Sequence, residues 1–278
     1  MPELPEVEVV RRDLEREIVG KRVKTVEVDG MRSVRRHHNR KQFISRLEGG
    51  TFTGVERRGK YLLCRLEGTE VLVIHLGMSG QLRRAKTARD AVAKHTHVVI
   101  TFVQGGQLRF IDPRTFGEMF MTEADELQRV SELRHIGLDP LDQVISWEHF
   151  GNLLSARKAK LKPLLMDQKL LAGIGNVYSD EILWGAGLRW DRLSNSLTSE
   201  EVRRLYRAMV EILQDAVKHR GSSLADGGYV DLFGKPGGYQ AFHNVYAREG
   251  QRCNRCRQPI HRERTGGRST FFCDTCQV

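Results

Sequence analysis

Cys253-Asn254-Arg255-Cys256 is followed, sixteen residues later, by Cys273-Asp274-Thr275-Cys276. A Cys-x2-Cys turn presents two sulfurs to one ion, and two such turns complete a tetrahedral four-thiolate zinc site. Four of the five cysteines are gathered in this short C-terminal stretch. One zinc per chain, held by Cys253, Cys256, Cys273 and Cys276, is therefore expected. Four protein ligands leave no open position, so the metal is structural and not catalytic. Arg262, Glu263, Arg264 and Arg268 fall between the pairs, on or near a hairpin that the metal would hold. Cys64 lies outside this group and reads as a buried strand thiol.

Working back from the finger, Gly221 to Gly238 contains Asp226-Gly227-Gly228 and Lys235-Pro236-Gly237-Gly238 and reads as a long loop. Loops of that length often serve binding. Upstream of it the period is helical. Trp147, Phe150 and Leu154 share one face, Leu205, Met209, Ile212 and Val217 another, and Thr198 with Glu201 forms a capping box. Leu171-Ala172-Gly173-Ile174-Gly175-Asn176-Val177-Tyr178 lies between helical segments. Its glycines suit close packing, or a phosphate at the N-terminus of the following helix.

The first half is β-rich, with runs at Val23 to Val28, Tyr61 to Leu66, Val71 to Leu76, His97 to Val103, Gln107 to Ile111 and Gly117 to Met121. Gly105-Gly106 is a two-residue hairpin turn between two of them. A β-sandwich or barrel follows, preceded by one helix from Glu6 to Ile18 with Val7, Val10, Leu14 and Ile18 on its apolar face. Pro2, Glu3 and Glu6 favour a helix start. They also allow a second reading. Loss of Met1 would expose the Pro2 amine, which forms Schiff bases with aldehydes when unprotonated, and Glu3 and Glu6 would stand by as proton shuttles.

The 278 residues carry 45 Lys and Arg against 35 Asp and Glu, a formal charge of +10, which favours a polyanionic partner. The opening has Glu3, Glu6 and Glu8 in place of a basic leader, and no run approaches a membrane span, so a cytoplasmic protein without membrane contact is expected.

Pro2-Glu3-Leu4-Pro5-Glu6-Val7-Glu8, Gly59-Lys60-Tyr61-Leu62-Leu63, His75-Leu76-Gly77-Met78-Ser79-Gly80, Asp112-Pro113-Arg114-Thr115-Phe116-Gly117, the Gly173 to Tyr178 turn and the four-cysteine finger occur in this order. Together they resemble the formamidopyrimidine-DNA glycosylases over essentially the whole chain. The resemblance implies an α+β multidomain fold: a catalytic β-sandwich domain with its N-terminal helix at 1–134, a helix-two-turns-helix domain with a lesion-covering loop at 135–238, and a zinc finger at 239–278.

It further implies a monomeric bacterial enzyme that excises oxidised purines from duplex DNA and cleaves abasic sites by β,δ-elimination. Pro2 would be the nucleophile, Glu3 the proton donor, and Lys60 and Arg268 further catalytic groups. Glu6, Met78, Arg114, Phe116, Lys162, Asn176 and Arg268 would contact DNA. Met78, Arg114 and Phe116 would fill the gap left by the extruded nucleotide, although Met78 and Phe116 by themselves read as core side chains. Thr115 and Ser79 carry no assigned role. An endonuclease VIII-like enzyme for oxidised pyrimidines, a non-catalytic zinc-finger DNA-binding protein and a small-molecule enzyme with an N-terminal proline base are the alternatives.

Overall fold

In the computed structural model the chain begins with helix α1 (Leu4–Ile18). Pro5 sits in its first turn, where a missing N–H breaks no helical bond, and Glu3 and Glu6 form a reciprocal capping box. Val7, Val10, Leu14 and Ile18 are all buried on one face, each contributing about 1.5–3 kcal/mol.

After α1 come β1 (Val23–Val28), α2 (Arg40–Leu47), β2 (Phe52–Arg58), β3 (Tyr61–Leu66), β4 (Glu70–His75), β5 (Gln81–Ala85), β6 (Thr96–Phe102), β7 (Gln107–Ile111), β8 (Glu118–Glu123) and the short α3 (Ser131–Arg134). The strands form two four-stranded antiparallel sheets, ordered β2-β3-β4-β8 and β1-β6-β7-β5. Leu62 and Ile74 from one sheet, Ile100 and Phe110 from the other, and Leu14 from α1 join a single core, so this part is a sandwich. Gly105 and Gly106, both at positive φ, lie in the β6–β7 turn, which spans the four residues 103–106 in place of the two-residue turn expected.

The described residues are 1–143, 145–225 and 227–278, and they divide into two compact units. The first is Met1–Arg134 with Arg220–Gly238; the second is His135–His219 with Tyr239–Val278. The Gly-rich stretch thus packs with the sandwich. Arg220 pairs with Asp13 and Asp231, Tyr229 and Leu232 enter the sandwich core, and the Arg84 N–H donates to the Leu232 carbonyl at 2.9 Å. The turn signal at Asp226 lies outside the described residues.

The second unit holds α4 (Trp147–Ser155), α5 (Leu161–Leu165), α6 (Asn176–Ala186), α7 (Ser199–Lys218) and a hairpin of β9 (His261–Thr265) and β10 (Arg268–Phe272). The Thr198–Glu201 capping box opens α7, and α6 ends on Gly187 in the left-handed region. Gly185 lets α6 approach α7 closely, because a Cβ there would stand 3.0 Å from Ile212 Cδ1 and 3.1 Å from Ala208 Cβ. Among the described residues no helix is long and apolar enough to cross a membrane.

Candidate functional site

At the start of α1, Pro2 is buried and Glu3 and Glu6 are 3% and 2% exposed. The Glu3 N–H donates to Glu6 Oε2 at 2.8 Å, while the Glu3 carboxylate accepts the Glu6 backbone N–H. The other Glu6 oxygen accepts the Ser222 N–H at 2.7 Å. Gly221 has φ +75°, and a Cβ on it would stand 2.7 Å from that same oxygen. Glu6 is therefore a brace between the helix start and the Gly-rich stretch. Its spacing to Glu3 was legible in the sequence; its bond to residue 222 was not.

Lys60 occupies the two-residue turn with Gly59 that joins β2 to β3, where Arg58 pairs with Tyr61. Tyr61 stacks on His75 with ring centroids 4.5 Å apart. Burial, reinforced by the cations of Lys60, Arg35 and Arg36, pushes the His75 imidazole down to about 4, against the pull of Glu118. His75 is thus a neutral ring near Lys60 at physiological pH. It directly follows the apolar run Val71 to Ile74, which is the signal that could have marked it.

Met78, Arg114 and Phe116 converge for a topological reason. The β4–β5 connection passes from one sheet to the other, and the β7–β8 connection passes back. Since β4 pairs with β8 and β5 with β7, the crossings share one corner, between the pairs His75–Glu118 and Gln81–Ile111. All three side chains point outward: Met78 is 41% exposed, Phe116 is 48% exposed, and the exposed Arg114 guanidinium lies 5.1 Å from the Phe116 ring. Met78 and Phe116 are not core residues.

In the second unit Asn176 begins α6 after the Gly173 turn, and its Oδ1 is buried without a hydrogen-bond partner. Lys162 departs from expectation. Its ammonium donates to the Ser269 carbonyl at 2.9 Å and the Thr270 hydroxyl at 3.0 Å, and pairs with Asp180 at 2.8 Å. With its side chain 4% exposed, it has no N–H to offer a phosphate. It secures β10 to α6, as does the Phe271 N–H donating to Asp180 at 2.9 Å. Burial pushes the Asp180 carboxyl up to about 7 despite Lys162. Neighbouring Glu181 accepts the backbone N–H groups of Asn244, Val245 and Tyr246. These two acids, which sequence reasoning missed, fasten both sides of the finger to one helix. Arg268 is exposed at the first position of β10.

The ligand atoms of Cys253, Cys256, Cys273 and Cys276 lie within 4.8 Å of one another. Cys253 and Cys276 are 3.8 Å apart and Cys256 and Cys273 3.4 Å, close to the edge of about 3.8 Å of a tetrahedron with Zn–S bonds of about 2.3 Å. The four thiolates fit one structural zinc ion.

Three family models match in order: the formamidopyrimidine-DNA glycosylase N-terminal domain over residues 1–119, its H2TH domain over 136–226, and the zinc finger found in FPG and IleRS over 250–278. That order defines a three-part DNA glycosylase with a metal-held finger. The chain belongs to the formamidopyrimidine-DNA glycosylase family. It is 40% identical to the formamidopyrimidine-DNA glycosylase of Pelotomaculum thermopropionicum, the match covering all of this chain and 99% of that protein. The crystal structure of MutM (Fpg) from Thermus thermophilus superposes with a TM-score of 0.88 at 40% identity, over 99% of this chain and 98% of that one. Lactococcus lactis Fpg, solved in complex with abasic-site DNA, gives 0.90 at 36% identity over 99% of each chain.

Proposed function

We propose that this protein is a bifunctional base-excision repair enzyme that removes oxidised purines from duplex DNA and then cleaves the abasic site. The observation that carries this reading is the buried carboxylate of Glu3, held beside Pro2 at the head of α1 by the Glu6 brace. Once Met1 is removed, the Pro2 nitrogen is a secondary amine at the positive end of a helix, which disfavours its protonation. It attacks the sugar C1′, the damaged base departs with the electron pair of the glycosidic bond, and Glu3 gives a proton to the opening ring oxygen. The resulting iminium acidifies the C2′ hydrogens. β-Elimination then expels the 3′ phosphate and δ-elimination the 5′ phosphate.

Lys60, beside a neutral His75, supplies positive charge to a phosphate next to the lesion, while Met78, Arg114 and Phe116 fill the vacated stack. Asn176 and Arg268 hold phosphates and fix register without reading sequence. Lys162 and Glu6 contribute by position, through the hairpin and the helix start. It acts, in this reading, as a monomer in the bacterial cytoplasm; the relatives are bacterial proteins.

The test is incubation of untagged protein with an 8-oxoguanine:cytosine duplex, alongside one carrying thymine glycol, in the presence of borohydride. A covalent protein–DNA product formed preferentially on 8-oxoguanine and mapping to Pro2 is expected. Absence of that product from folded, zinc-loaded protein would end the proposal. A preference for thymine glycol would move the enzyme to oxidised pyrimidines.

A further inference from the structure

Ser79 and Asp112 sit behind the exposed triad, and the mechanism above gives neither a role. Asp112 is fully buried. Its Oδ1 accepts the Ser79 hydroxyl at 2.6 Å and the Arg114 N–H at 3.2 Å, and its Oδ2 accepts the Gly117 N–H at 2.7 Å. Its backbone is held as well: the Asp112 N–H donates to the His95 carbonyl at 3.0 Å, and its own carbonyl accepts from His97 Nε2 at 2.9 Å and the Thr115 N–H at 3.3 Å. One carboxylate thus gathers both ends of the turn carrying Arg114 and Phe116 and ties that turn, through Ser79, to the one carrying Met78.

The backbones are fitted to this tie. Gly77 has φ +64°, and a Cβ there would stand 2.6 Å from Gly117 N and 2.7 Å from Phe116 C. A Cβ on Gly80 would meet the Leu76 carbonyl oxygen at 2.2 Å. The two crossings therefore touch backbone to backbone, with the Ser79–Asp112 bond beside the contact. A hydrogen bond to a buried carboxylate is short, directional and stronger than one between neutral groups.

We propose that Asp112, latched by the Ser79 hydroxyl, is a positioning residue that locks the two turns in register, so that Met78, Arg114 and Phe116 enter the duplex as one preassembled block. The proposal rests on the gap-filling reading of that triad. A block already ordered in the free protein spares the ordering of two loops at the moment of insertion. It also fixes the spacing between the plug and the wedge. Without the latch each turn would retain its own glycine geometry but could shift against the other.

The test compares Ser79→Ala, which deletes the donor, Ser79→Thr, which keeps it, and Ser79→Cys, which retains size with a weak donor. Two substrates separate insertion from chemistry. An 8-oxoguanine:cytosine duplex requires the gap to be filled, whereas a single strand with a preformed abasic site has no gap. Ser79→Ala is expected to lower single-turnover excision on the duplex by about tenfold while changing abasic single-strand cleavage by less than about twofold. Ser79→Thr should restore the duplex rate, and Ser79→Cys should fall between; Ser79→Cys also carries the comparison if Ser79→Ala does not fold.

A second readout needs no catalysis. A 2-aminopurine beside the orphaned cytosine, in a duplex with a tetrahydrofuran site, brightens as the wedge unstacks it, and Ser79→Ala should slow and reduce that rise. Equal losses on both substrates would mean that the bond merely supports the fold. An unchanged duplex rate with an unchanged fluorescence rise would overturn the latch. If the wild-type protein excises nothing, the function proposed above fails, and the tetrahydrofuran fluorescence alone still decides for or against the latch.

Discussion

The sandwich corner and the finger hairpin, the two regions proposed to meet DNA, are held in shape by different forces. At the corner, Met78, Arg114 and Phe116 stand on turns between strands whose inward residues are buried, such as Leu72 and Ile74 in β4 and Leu108 and Phe110 in β7. In the hairpin, four of the five residues of β9 are exposed, and only a small apolar cluster around Trp184, Val245, Ile260 and Phe271 lies beneath. What the hairpin lacks in core it recovers from four thiolates, the Lys162–Asp180 pair and the bonds to Glu181. The difference teaches that the parts proposed for covalent chemistry and stack filling rest on hydrophobic burial, whereas the part proposed to grip phosphate rests on a metal site and on buried ionisable groups. Perturbations should therefore separate chemistry from grip.

The largest separation is expected at the N-terminus. Retaining Met1, or placing a tag before Pro2, turns the amine into an amide that cannot attack an aldehyde. Borohydride trapping should fall on the order of a thousandfold or more, with affinity for undamaged duplex unchanged. Full-yield trapping with a blocked terminus would transfer the nucleophile's role to another amine, with Lys60 the first candidate. Zinc removal should do the reverse. Folding energy in small metal sites comes largely from the metal, so chelation should weaken duplex binding by on the order of a hundredfold and make the hairpin protease-sensitive, while the sandwich still melts cooperatively. Loss of both units together on chelation would contradict the contrast drawn here, and folded, active protein without zinc would remove the metal.

How far each region was readable follows from the same forces. The finger was legible from cysteine spacing alone, because metal geometry is written in sequence. Strands β3 and β7 were legible from apolar runs, and α7 from its stripe and capping box. Strand β2 was not, because Arg57 looks like a surface residue but is buried, its side chain 0% exposed, against Glu8 of α1 at 3.0 Å. Burial raises the cost of the Glu8 charge, but the guanidiniums of Arg11, Arg57 and Arg12 outweigh it and hold the carboxyl below its usual range. Helix α2 was missed because only Phe43 and Leu47 are buried on it. In the site, Met78 and Phe116 needed the family resemblance, since apolar residue type points inward by default. Lys162 was misplaced because a lysine before a proline shows nothing of Asp180, eighteen positions away, or of the hairpin carbonyls it meets.

A smaller effect tests the grip directly. Arg268 is exposed at the first residue of β10, and each phosphate it neutralises releases condensed counterions. Arg268→Ala should weaken duplex binding and flatten the slope of log affinity against log salt by about one unit. Because zinc and the Lys162–Asp180 pair remain, the finger should keep its metal. An unchanged slope would take Arg268 off the phosphates and leave Asn176 as the candidate phosphate contact in that unit.

The smallest effect concerns His75, on the sandwich side of the comparison. Its imidazole is held at about 4, against an ordinary value of 6.5, mainly by burial. As pH falls through 6.5 the unfolded chain binds a proton that the folded chain refuses until about 4, so the unfolded state gains protons first. Stability from this group is therefore complete above 6.5 and declines between 6.5 and 4. His75→Asn cannot titrate there. Urea midpoints at pH 7 and pH 5 should show the wild type losing on the order of 1 kcal/mol more than the variant, after allowance for the ring's partial exposure. A neutral ring, unlike a cation, releases no counterion even where it donates a hydrogen bond to a phosphate. His75→Asn should leave the salt slope unchanged where Arg268→Ala alters it. A slope reduced by about one unit in His75→Asn would mean that the ring is charged when DNA is bound, and the corner would then grip phosphate by the same means as the finger.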